Sequence, residues 1–93
     1  MECKNLKFTG HAIRQMFQRQ ITKDDVRYVI NYGEVITDYP DDKPLHSKLL
    51  LGFSKKRPLH IVLAYDITHK TCYVITAYAP EPKLWTDDYK RRK

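Results

Sequence analysis

Residues suited to phosphate chemistry stand at both ends of this chain. His11, Arg14 and Arg19 lie near the start, His60 lies two thirds of the way along, and Thr76 and Tyr78 occupy the segment Val74-Ile-Thr-Ala-Tyr-Ala-Pro-Glu-Pro-Lys-Leu-Trp85. Cleavage of RNA by its own 2′-hydroxyl needs a base for that proton, an acid for the leaving 5′-oxygen, and cations or donors around the charged phosphorane. Histidine suits the proton steps because its ordinary pKa lies near pH 6.5. Arginine suits the phosphate because its planar fork donates two parallel hydrogen bonds, and Thr and Tyr hydroxyls can orient it. Such chemistry requires neither metal nor cofactor, and the residues are so far apart that only the fold can assemble them.

Each residue also has a structural reading. His11 falls opposite an apolar stripe, as a proton-exchanging group or as a simple first-turn residue. Arg14 and Arg19 are either phosphate ligands or solvated helix arginines paired with carboxylates. His60, inside an apolar strand, is a catalyst or a hydrogen-bonded core histidine. Thr76 and Tyr78 are types that strands favour in any case. Lys55, Lys56 and Arg57 at a hairpin tip are a solvated run or a contact for RNA phosphates. Trp85, the lone tryptophan, reads as an anchor that pins the tail.

The elements that must position these groups follow from periodicity. After an extended stretch at Leu6–Phe8, Thr9 caps a helix to Arg19 with Ala12, Ile13, Met16, Phe17 and Gln20 on one side. Thr22 caps a second helix, with Asp25 at the capping-box position, an Ile21–Val26 staple, a buried stripe of Val26, Val29 and Ile30, and Gly33 at its end. From Glu34 the period becomes two, with strand candidates at 34–39, 46–53, 59–66 and 72–79. Short polar connections make the last three an antiparallel meander. Strict alternation puts Cys72, Val74, Thr76 and Tyr78 on one side of the last strand. Residues 81–93 read as a short helix or a docked tail. The expectation is an α+β fold: one domain over residues 1–93, with two N-terminal helices packed on a four-stranded, mainly antiparallel sheet whose other face is free.

Seventeen Lys and Arg against 11 Asp and Glu give a net charge of +6, which favours polyanionic partners. Two cysteines, Cys3 and Cys72, lack CxxC spacing, and the sequence shows neither a secretory h-region nor an apolar run of the roughly 18 residues a membrane span needs. These features point to reduced thiols, a cytoplasmic location and no membrane partner.

His11-x-x-Arg14-x-Met16-x-x-Arg19-x-Ile21, Leu50-Leu-Gly52, Pro58-Leu-His60, Ile75-Thr76-Ala-Tyr78-x-Pro80-x-Pro82-x-x-Trp85 and Arg91-Arg92 resemble a family of small prokaryotic proteins described as a domain of unknown function. That family resembles in turn the superfamily spanning barnase, EndoU, colicin nucleases and RelE-type toxins. The resemblance implies a RelE/barnase-like sheet, a metal-independent endoribonuclease toxin of a toxin–antitoxin pair, RNA as partner, free or on the ribosome, and a cognate antitoxin. The alternative is a noncatalytic RNA- or protein-binding module. A DNA-binding regulator is weaker, because neither helix offers an exposed basic recognition face.

Overall fold

Two threonines start the two helices. The computed structural model describes residues 3–93, in the order β1 (Asn5–Phe8), α1 (Gly10–Arg19), α2 (Lys23–Tyr32), β2 (Glu34–Tyr39), β3 (Ser47–Ser54), β4 (Arg57–Asp66) and β5 (Thr71–Tyr78). Thr9 caps α1 by accepting a hydrogen bond from the Ala12 amide (3.1 Å), and α1 ends at Gln20 in the left-handed region (φ 56°). At α2 the expected capping box is present. The Asp25 amide donates to Thr22 Oγ1 (3.0 Å) and the Thr22 amide donates to Asp25 Oδ2 (2.9 Å). Val26 and Val29 are buried, whereas Ile30 is half-buried.

The sheet is five-stranded and mixed, in the order β1-β5-β4-β3-β2. This corrects the expected four-stranded, mainly antiparallel, RelE/barnase-like sheet. The stretch expected to be merely extended is a strand, paired parallel to β5 from Asn5↔Thr71 to Phe8↔Val74, while β2 to β5 form an antiparallel meander. Four residues carry too little periodicity to announce a strand, and their partner lies more than sixty residues away. Of the two expectations for residues 81–93, the helix is absent and the docked tail is found. Beyond β5 the chain makes turns and a single bridge, Trp85↔Arg92.

Parallel pairing of β1 brings Cys3 to Cys72, and the two form a disulfide across a sequence separation of 69. The expectation of reduced thiols is overturned, and the case for a reducing compartment falls with it. Among the described residues no helix is long and apolar enough to cross a membrane.

Both helices pack on one sheet face, over a core that includes Leu50, Leu59, Ile61, Leu63, Val74 and Ala77. The α1 stripe is narrower than expected, because α1 lies along β5 near the sheet edge. Ala12 and Met16 are buried, whereas Ile13 is exposed and Phe17 is 87% exposed.

Gly33 sits where α2 turns into β2, with extended geometry (φ −79°), so its requirement is space. A Cβ there would lie 2.5 Å from the Val29 carbonyl oxygen and 2.6 Å from that of Leu51. Both obstacles are backbone and cannot rotate away. Gly33→Ala is therefore expected to destabilise the fold by about 1–3 kcal/mol, read as a lower denaturant midpoint at unchanged slope. An unchanged midpoint would show that this junction yields freely.

Candidate functional site

A bulge in β5 decides which side chains can meet. Val62 pairs with Thr76 but Leu63 pairs with Val74, so Ile75 is an extra residue. Strict alternation is thereby broken. Cys72, Val74 and Ala77 face the helices, whereas Thr76 and Tyr78 turn to the opposite face with Tyr73, Val62 and His60. The expected grouping of Thr76 and Tyr78 with Cys72 and Val74 is corrected by this one residue.

On that face His60 and Tyr78 are cross-strand partners, and His60 Nδ1 lies 3.1 Å from the Tyr78 hydroxyl. His60 Nε2 lies 2.8 Å from the Tyr89 carbonyl oxygen. The ring is 0% exposed and stands edge-on to Trp85, with centroids 4.4 Å apart. Both ring nitrogens thus have partners. Burial pushes the His60 pKa below the ordinary histidine value, opposed by the bond to Tyr89. Tyr78, half-buried, is pushed up by burial and by nearby Tyr39, while Arg92 acts in the other direction.

The unfolded chain titrates this histidine near pH 6.5, so between the lowered folded value and about pH 6.5 the unfolded state binds more protons. Stability is expected to be level above that window and to fall as pH drops through it. Thermal melts across the window check the sign; a melting temperature rising on acidification there would contradict a neutral, buried His60.

The tail supplies the rest of the site. Trp85, 7% exposed, is held by the Thr86 amide donating to the Arg91 carbonyl (2.8 Å) and the Lys93 amide donating to the Leu84 carbonyl (2.9 Å). This fold-back lays the Arg92 guanidinium 5.6 Å over the Trp85 ring. Lys90 pairs with Glu34 (3.2 Å), and the Tyr89 ring meets Phe53 edge-on. Arg92 is named in the resemblance but is not among the site residues expected from the sequence. Its place in a run of four cations suggests a solvated basic end, although the lone tryptophan seven residues earlier is the signal that this end is docked.

His11 lies on α1, which is tied to the β5 backbone on either side of it. The Thr9 hydroxyl donates to the Ile75 carbonyl (3.2 Å), and the Ala77 amide donates to Gln15 Oε1 (3.1 Å), so α1 runs along the edge of β5. His11 lies one turn before Gln15 on the same flank of α1 and is exposed. Arg14 and Arg19 are exposed on α1. Among the described residues no hydrogen bond links the His11, Arg14 or Arg19 side chains to His60, Thr76 or Tyr78.

The basic hairpin divides. Lys55 (φ 52°) and Lys56 (φ 69°) form its exposed tip, but Arg57 turns back, donating to the Arg19 carbonyl (3.1 Å) and the Gln20 carbonyl (2.9 Å) at the end of α1. Arg57 also lies 3.7 Å from Asp25 Oδ2, and the Ser54 hydroxyl donates to Asp25 Oδ1 (2.6 Å). Burial would raise the Asp25 pKa, but the bonds from Ser54 and Thr22, with the charge of Lys55, hold it below the usual carboxylate value. Arg57 therefore ties the hairpin to both helices. Since Lys56 and Lys55 are four and five residues before His60, the tip lies roughly 13–17 Å along the strand from the His60–Tyr78 pair.

Next to Thr76, a recess of about 500 Å³ opens on the same face, walled by Pro44, Leu45, Val62, Ala64, Tyr73 and Ile75. Among the described residues no three His, Cys, Asp or Glu side chains converge in a way that could hold a metal ion.

Fold and site together define a small α+β protein with a hydroxyl–imidazole pair on the sheet face that its helices leave free. Residues 8–79 match the family described as Domain of unknown function (DUF4258), and the chain belongs to that family. Comparisons with curated proteins and with solved structures found no match. His11, Arg14, Arg19, His60, Thr76 and Tyr78 lie within the matched stretch, whereas Trp85, Tyr89 and Arg92 lie beyond it.

Proposed function

We propose that this protein is a metal-independent endoribonuclease, acting as the toxin of a toxin–antitoxin pair and cleaving RNA by attack of the 2′-hydroxyl. The observation that carries the reading is the Tyr78 hydroxyl, held by His60 on the sheet face opposite the helices, where the docked tail brings Trp85 against His60 and Arg92 over Trp85. Exposed His11 on α1 is the residue that exchanges the proton in this reading. Arg14 and Arg92 serve the phosphate, and Thr76 orients it. His60, buried with both nitrogens bonded, positions Tyr78 and does not itself reach a substrate. The toxin role, with RNA free or on the ribosome and a cognate antitoxin as partners, rests on the resemblance of the domain-of-unknown-function family, to which the His11-x-x-Arg14 and Thr76-x-Tyr78 motifs are similar, to the barnase, EndoU, colicin and RelE superfamily. Incubation with RNA, with and without ribosomes and EDTA, tests it. Chelator-resistant cleavage leaving 2′,3′-cyclic phosphate ends is the expected result, and chelator-sensitive cleavage would sink the mechanism.

The recess walled by Pro44, Leu45 and Ile75 favours a second reading, a noncatalytic module that binds RNA or protein through the same face. Absence of cleavage under every condition, with binding retained, would select it.

The hairpin tip gives a separate check on the RNA footprint. Two consecutive residues with positive φ are what a type I′ turn demands, and Asn-Gly meets that demand better than Lys-Lys. The double change Lys55→Asn, Lys56→Gly should therefore preserve or raise stability. It should also flatten the salt dependence of single-strand RNA binding, by roughly 0.7 in log–log slope for each phosphate that the tip no longer neutralises. An unaltered slope would place the footprint away from the tip.

A further inference from the structure

The hydrogen-bond directions around His60 fix what Tyr78 can accept. A backbone carbonyl has no proton to give, so at 2.8 Å from the Tyr89 oxygen it is His60 Nε2 that carries the hydrogen. The buried ring is neutral, which leaves Nδ1 with a lone pair, and the Tyr78 O–H at 3.1 Å donates to it. The phenol proton is thus turned inward. What the hydroxyl of half-buried Tyr78 offers a ligand is its remaining lone-pair capacity. A phosphate oxygen, itself only an acceptor, is a poor partner there; a hydroxyl is a good one. Arg92 stacks over the Trp85 ring, which stands edge-on to the His60 that holds Tyr78, and among the described residues no carboxylate forms an ion pair with it. An acceptor next to a cation matches a hydroxyl next to a phosphate.

We propose that Tyr78 Oη accepts a hydrogen bond from a ribose 2′-hydroxyl while Arg92 takes the adjoining phosphate, so that this pair is how the site distinguishes RNA from DNA. The inference rests on the RNA-directed reading above and adds the group that reads the sugar. Deoxyribose has no hydroxyl at that position, and the 2′-hydroxyl is the group by which a protein separates the two nucleic acids.

The test uses the full chain carrying His11→Ala, to suppress cleavage, and fluorescence anisotropy with one sequence as RNA, as DNA and as 2′-fluoro RNA. The fluoro strand keeps an RNA-like sugar but cannot donate. RNA should bind about five- to tenfold more tightly than either other strand, the size expected for one hydrogen bond. Adding Tyr78→Phe should bring RNA down to the level of the other two while leaving their affinities unchanged, a pattern that general loss of structure would not produce. Equal binding of RNA and 2′-fluoro RNA before Tyr78 is changed would overturn the inference while leaving an RNA-directed function standing. An RNA preference that survives Tyr78→Phe would overturn it too, and binding of none of the three strands would overturn both.

Discussion

Replacing His11 by alanine is expected to lower RNA cleavage by about two to four orders of magnitude while leaving the fold intact. The size follows from the role: loss of a general acid or base removes a proton transfer from the transition state. Retention of the fold follows from placement, because His11 is exposed on α1 and takes no part in burying Ala12 and Met16. Surface changes of this kind usually alter stability by no more than about 0.5 kcal/mol. Arg14→Lys should also impair cleavage, since a point charge does not replace a bidentate fork. Single-turnover assays beside thermal melts separate the outcomes. Undiminished cleavage in His11→Ala would remove the residue from the chemistry, and a parallel fall in melting temperature would make its effect structural.

Helices, caps and the β3–β5 meander are legible because they are written locally. Thr22 and Asp25 specify one helix start within four residues, and period-two patterning marks each long strand. What the sequence hides is non-local. Partnering of Asn5–Phe8 with β5 and the meeting of Cys3 with Cys72 depend on chain closure over more than sixty residues, for which neither segment carries a signal of its own. The bulge at Ile75 is a one-residue event in an apolar strand, yet it moves Thr76 and Tyr78 from one face to the other. Composition likewise groups Lys55, Lys56 and Arg57. Only geometry shows that the arginine is spent on the exposed carbonyls at the end of α1. The residues of the site can be named from their chemistry, but their shared face cannot be read from alternation.

Trp85→Ala is expected to act on stability and on the site together. Truncating a buried aromatic costs about 3–5 kcal/mol, which for a chain of this size lowers the melting temperature by on the order of ten degrees or more. The consequences reach further, because Trp85 is the point at which the tail is held to the sheet. Its ring packs edge-on to His60, and the bridge to Arg92 depends on its position. With the tail released, the Tyr89 carbonyl leaves His60 Nε2, so the proton that fixes the His60 tautomer loses its acceptor and Tyr78 loses its fixed donor direction. Arg92 departs with the same segment. Cleavage and any preference for RNA over DNA should therefore fall below what the residual folded fraction accounts for. Trp85→Phe, which keeps an aromatic ring against His60, should recover much of both. A Trp85→Ala protein that melts as before, with its activity intact, would show that the tail neither holds the sheet nor orders His60 and Tyr78.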